Sequence, residues 1–100
     1  GYDVAIAASD QIGIDVISAT KAVLVILDVS LPGKFTQDLC RQIRGESKTV
    51  AILVLSSITN VEQVVLLLKL GVDDCITKPF SPSEFMARLR AAMRRRGSAI

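Results

Sequence analysis

The chain of 100 residues contains no histidine and no tryptophan, and aromatic residues make up only 4% of it. Its two cysteines, Cys40 and Cys75, form no CxxC pair. Without histidine or paired cysteines, neither a zinc-type site nor a disulfide framework is indicated, and two buried structural thiols are expected. No glycine-rich phosphate loop is present, which argues against a nucleotide enzyme. No apolar run reaches the ~18 residues of a membrane span. A soluble, cytoplasmic protein with no membrane contact is therefore expected. The formal net charge of +2 is too small to argue for nucleic acid by itself.

What the chain has in quantity is aliphatic residue: half of it is hydrophobic, so the core must be Val, Ile, Leu and Ala. One domain with a single core is the expectation at this length. Three apolar stretches end in reactive side chains. Ala22 to Leu27 ends at Asp28, Val50 to Leu55 ends at Ser56, and Cys75 to Thr77 leads into Lys78-Pro79. Long apolar strands without polar breaks fit a parallel sheet covered on both faces.

Tyr2 to Ala8 reads as a further strand, and Asp10 can cap a helix over Gln11 to Ala19. Leu31-Pro32-Gly33 is a turn. Thr36 is expected to cap a helix to about Glu46, with Leu39, Cys40 and Ile43 on one face. Thr59-x-x-Glu62 is a capping-box pattern, and the helix it opens should stop at Gly71. Ser81-Pro82-Ser83-Glu84 is a second, with proline at the first helical position. Phe85, Leu89 and Met93 then form an apolar stripe expected in the core. Five arginines lie between Arg88 and Arg96, and a solvated helix end is expected there, since cations favour the C-terminal dipole. The alternation of strands and helices predicts an α/β doubly wound parallel sheet of βα repeats.

In such a sheet, Asp28, Ser56 and Lys78 meet at the carboxyl ends of the strands, where open α/β sheets bind ligands. A carboxylate can accept a phosphoryl group, an ammonium can neutralise the acyl phosphate, and a hydroxyl can donate to one of its oxygens.

Over nearly its whole length the sequence resembles the receiver (CheY-like) domain of two-component response regulators. The resemblance is carried by VILDVSLPG (Val25–Gly33), LCRQIR (Leu39–Arg44), AILVLSS (Ala51–Ser57) and GVDDCITKPF (Gly71–Phe80). It implies a flavodoxin-like fold, Asp28 as phospho-acceptor, Ser56 as switch hydroxyl, Lys78 as phosphate partner and a cis bond at Lys78-Pro79. It further implies a sensor histidine kinase as phosphoryl donor and Mg²⁺ as cofactor, held here by Asp28 and the carbonyl of Ser30. Self-catalysed phosphorylation and dephosphorylation would be weak, so the chain is expected to be a signalling switch rather than an enzyme.

Residues 1–96 would form the receiver, and 97–100 would begin a linker to an absent winged-helix output domain, through which alone DNA is bound. Against the family pattern, the chain begins at what corresponds to the second strand, so the first strand, its acidic metal-binding pair and the first helix are expected to be missing. The missing strand is central in the family. Its gap is filled by another element or another chain, or the remaining strands re-pair. The family's aromatic switch position is Cys75, and the Asp-Gly after the turn is Phe35-Thr36. Two readings stay open: a phosphorylatable receiver, and a phosphorylation-independent pseudo-receiver acting as an interaction or dimerisation module. The leucine-rich stretch from Asn60 to Leu70, together with the strand gap, predicts a homodimer or a strand-exchanged oligomer.

Overall fold

Four short strands pair side by side in the computed structural model, which describes residues 4–7, 22–30 and 32–97. They are β1 (Val4–Ala7), β2 (Leu24–Asp28), β3 (Ala51–Ser56) and β4 (Asp74–Thr77). All pair in parallel, in the order β1-β2-β3-β4. The helices are α1 (Lys34–Glu46), α2 (Val61–Lys69) and α3 (Pro82–Arg95). The helix expected over Gln11 to Ala19 lies outside the described residues.

The gap expected between the first two strands is absent because the strands re-pair. Val4 stands opposite Leu24, and Ala7 opposite Leu27, so β1 lies directly against β2. Direct pairing satisfies the backbone groups that a gap would leave without partners.

Alternation along the strands divides the core into two layers. Val25, Leu27, Ile52 and Val54 face α1 and α2, meeting Leu39, Cys40, Ile43 and Leu67. Leu24, Ile26, Ala51, Leu53, Leu55 and Ile76 face α3, meeting Phe85, Leu89, Ala92 and Met93. Every residue of β3 is buried, as a central strand covered on both faces requires. The stripes predicted on α1 and α3 are therefore core contacts.

Two helix starts differ from expectation. α1 begins at Lys34 with Gly33 as its N-cap, and Thr36 lies inside the first turn. The earlier start aligns Thr36 with Leu39, Cys40 and Ile43 on the buried face, and it forms the Lys34–Asp38 and Asp38–Arg41 pairs. Thr36 Oγ1 is buried there without a hydrogen-bond partner. α2 is capped by Asn60 rather than Thr59, its Oδ1 accepting from Glu62 N at 2.8 Å and Gln63 N at 3.3 Å. α3 starts as expected, Ser81 Oγ accepting from Glu84 N at 3.1 Å with Pro82 behind it.

α2 stops at Gly71, whose φ of +104° suits glycine. A Cβ at Gly71 would also lie 2.7 Å from Arg44 Cγ. That approach lets the Arg44 guanidinium reach Gly71 O, with Nε at 3.1 Å and Nη2 at 2.9 Å, and donate from Nη1 to Val50 O at 2.7 Å.

The same guanidinium touches Asp73, whose side chain is 4% exposed. Asp73 Oδ2 accepts from Arg44 Nη2 at 3.1 Å and from Ile52 N at 2.8 Å. Asp73 Oδ1 accepts from Arg96 Nε at 2.8 Å. Arg96 also reaches Lys48 O, and Arg95 reaches Asp73 O. The arginine-rich end of α3 is thus partly folded back onto the sheet rather than wholly solvated. Burial lowers the Arg44 pKa, as does the like charge of Arg96, while Asp73 opposes both.

Removing one member of a buried charge cluster leaves the others uncompensated, at a cost of about 3–5 kcal/mol. Asp73→Ala is expected to lose stability of that order, measured as a lower denaturant midpoint, whereas Arg96→Ala loses less because Arg96 is a quarter exposed. Thr36→Val removes an unpaired buried hydroxyl with nearly the same shape. Its unfolding midpoint should stay level or rise.

Candidate functional site

The three predicted residues come together at the carboxyl ends of adjacent strands. Asp28 is the last residue of β2 and pairs in register with Leu55. Ser56 is the next residue along β3 and pairs with Thr77. Lys78 follows Thr77. Each of the three is therefore one position further along in register than the one before it.

The strand ends are held by further backbone bonds. Val29 N donates to Leu55 O at 2.9 Å, Ser57 N to Ser30 O at 3.0 Å, and Lys78 N to Ser56 O at 2.8 Å. The Lys78-Pro79 bond is cis, as expected.

Lys78 reaches across the end of β3 to form an ion pair with Asp28, Nζ meeting Oδ1. Oδ1 is sealed from solvent and makes no well-angled hydrogen bond, so its partner is the ammonium charge. The Asp28 side chain as a whole is 39% exposed and that of Lys78 35%, which leaves the site open to a reactant. Ser56 between them is 1% exposed. Its Oγ accepts from Ile58 N at 3.3 Å, and among the described residues no acceptor takes its proton. A hydroxyl carries one donor and two acceptor positions, so Ser56 can hold Ile58 and still donate to an anion on Asp28.

Thr77 was not picked out from the sequence. Its Oγ1 donates to Ile58 O at 3.3 Å, so the two hydroxyls hold both backbone groups of buried Ile58. A hydroxyl residue beside the site lysine, at a strand end, was the available signal.

The residues expected to hold Mg²⁺ are Asp28 and the Ser30 carbonyl. The carbonyl already accepts from Ser57 N, and Asp28 Oδ1 is engaged by Lys78. Among the described residues no group of three His, Cys, Asp or Glu could hold a metal ion. Hard cations usually take more carboxylate oxygen than one side chain supplies. The donors described here do not make a magnesium site by themselves.

Cys75 packs partly buried against the α1/α2 core layer, and Cys40 is fully buried in it. Burial raises the Cys40 thiol to about 12 and the Cys75 thiol to about 11.

The sequence profile of the response regulator receiver domain matches residues 1–90. The chain belongs to the response regulator receiver family. Among its relatives is the DNA-binding response regulator MtrA of Mycolicibacterium paratuberculosis, 40% identical over 95 residues. MtrA of Mycolicibacterium smegmatis is 39% identical over the same length. These alignments cover 95% of this chain but 42% and 41% of the relatives, so the receiver spans about two fifths of their length.

Among solved structures, the BeF3-activated N-terminal receiver domain of Klebsiella pneumoniae RstA is 36% identical, with a TM-score of 0.72, covering 92% of this chain and 78% of that one. The BeF3-activated DrrB receiver domain is 31% identical, with a TM-score of 0.64, over 74% and 63%. The receiver has the flavodoxin-like fold of these neighbours. No helix among its described residues is long and apolar enough to cross a membrane.

Because burial disfavours the thiolates, alkylation of the folded receiver at pH 8 is expected to be slow at Cys75 and slower at Cys40. Raising the pH toward 11 should accelerate Cys75 first, and denaturant should release both, as read by intact mass.

Proposed function

We propose that Asp28 is the phospho-acceptor of this receiver and that a sensor histidine kinase is the donor. The observation that carries the reading is the Asp28–Lys78 ion pair beside the Ser56 hydroxyl, at the ends of three adjacent strands. An Asp28 carboxylate oxygen attacks the phosphorus of a phosphohistidine. The new O–P bond forms as the P–N bond breaks, and the electron pair returns to the imidazole nitrogen. Lys78 balances negative charge on the acyl phosphate, and the Ser56 hydroxyl donates a hydrogen bond to one phosphoryl oxygen. Such transfer depends mainly on positioning and charge. Receiver domains generally use Mg²⁺ to neutralise the phosphoryl group, and Asp28 would supply one of its oxygen ligands.

The output reading follows from the relatives. MtrA is described as DNA-binding. On this reading residues 1–96 act as the cytoplasmic receiver, residues 97–100 lead toward an output domain, and DNA is contacted only there. The chain is then a switch, with at most weak self-phosphorylation and self-dephosphorylation.

A second reading, a pseudo-receiver that docks without phosphate, is favoured by two observations: the single carboxylate at the described site, and Cys75 in place of a ring.

The test compares two proteins, each treated with a small acyl phosphate and Mg²⁺. In a version extended N-terminally by a strand carrying an acidic pair, intact mass should show one added phosphoryl group, absent in Asp28→Asn. The 100-residue chain should react poorly. Modification that persists in Asp28→Asn overturns the acceptor assignment. No modification of the extended protein favours the pseudo-receiver.

A further inference from the structure

Register sets Ser56 of β3 opposite Thr77 of β4. Alternation along each strand puts both residues on the side of Val54 and Cys75, which pack in the α1/α2 layer. Ile58 belongs to the same layer and is the one buried residue between Ser56 and α2, at 2% exposure. The two hydroxyls therefore meet one residue from opposite sides. Ile58 N donates to Ser56 Oγ at 3.3 Å, and Thr77 Oγ1 donates to Ile58 O at 3.3 Å.

The consequence falls on Ser56. A strand-end serine can spend its proton on a nearby backbone carbonyl, and it then has none to offer an anion. The Ile58 N–H, seated on Ser56 Oγ, fills one acceptor position and sets the rotamer. The Ser56 proton then stays uncommitted among the described residues. That N–H keeps its place only while Ile58 keeps its orientation, and Thr77 holds Ile58 from the other side of its α-carbon. Neither packing nor helix capping requires the Thr77 bond. Thr77 is itself exposed, and α2 takes its cap from Asn60. The Thr77 hydroxyl bonds to no described group other than Ile58 O.

We infer that Thr77 is a positioning residue of the phosphoryl site: through Ile58 it keeps the Ser56 hydroxyl set to donate to an anion on Asp28, a role that rests on Asp28 being the phospho-acceptor. Thr77 acts before the phosphoryl group arrives. A donor fixed in advance needs no reorganisation when charge develops on the transferring oxygens.

The test is the rate at which the N-terminally extended protein takes a phosphoryl group from acetyl phosphate in Mg²⁺, read by intact mass. An O–P bond forms at Asp28 as the donor's O–P bond breaks, and acetate leaves with the electron pair. Thr77→Val keeps the branched shape and removes the donor, and it should slow uptake about three- to tenfold. Thr77→Ser should restore the rate. In a Ser56→Ala background, Thr77→Val should change nothing further, because the two hydroxyls act as one unit. In the unphosphorylated 100-residue chain, Thr77→Val should also speed hydrogen exchange at the Ile58 amide by a similar factor, and Thr77→Ser should not. Circular dichroism checks that each variant is folded. Four results each overturn the inference while leaving Asp28 as acceptor: a Thr77→Val rate equal to wild type, a Thr77→Ser rate that does not recover, a loss fully additive with that of Ser56→Ala, or unchanged exchange at Ile58. Uptake that persists in Asp28→Asn, or no uptake by the extended wild type, removes the acceptor reading and the role of Thr77 with it.

Discussion

The fold hangs on one buried carboxylate. Asp73 gathers a backbone N–H from β3 and guanidinium groups from α1 and from the end of α3, while its own backbone N–H donates to Ile52 O at 2.8 Å. Four elements meet there, at the amino-end side of β3 and β4. A carboxylate removed from water is tolerated only when its acceptor positions are filled by charged or well-aligned donors. Through those donors the carboxylate ties α1, β3 and the end of α3 to the segment between Gly71 and β4. The Asp28, Ser56 and Lys78 rim lies at the opposite ends of the same strands, so anchor and rim do not compete for residues.

Much of this was legible in the sequence because the signals were local. Six consecutive apolar residues before Asp28, and again before Ser56, read as covered strands, and the structure covers them on both faces. The serine-proline start of α3 was equally plain, since Pro82 removes a donor that has no helical partner in any case. Thr59 was the expected cap of α2, one residue too early: the cap is Asn60, whose Oδ1 serves two amides. Thr36 failed as a cap for a tertiary reason: its position is needed on the buried face of α1. The Arg44–Asp73–Arg96 cluster joins residues distant along the chain, and no periodicity or motif announces such a contact.

The site was legible in a different way. Asp28, Ser56 and Lys78 were each unremarkable alone and informative as a set, because parallel strands bring their carboxyl ends to one rim. What the sequence did not reveal was how the rim is held. Ile58 is gripped at its N–H by Ser56 and at its carbonyl by Thr77, so the loop leading to α2 is tied to the hydroxyl nearest Asp28. That tie uses no aromatic side chain, and Cys75, with its disfavoured thiolate, acts as a small apolar residue in the layer below.

The one-residue stagger from Asp28 to Ser56 to Lys78 makes this rim a gauge of strand alignment. Because side chains alternate between faces, a slip of one position turns a strand over. A displaced β3 would offer Leu55 to the rim and press Ser56 into a hydrophobic layer. A displaced β2 would turn its carboxylate toward the α1/α2 layer and away from the lysine. Only molecules with every strand in step carry carboxylate, hydroxyl and ammonium together. Misaligned chains would lack that constellation, so its presence at the rim reports on the whole sheet.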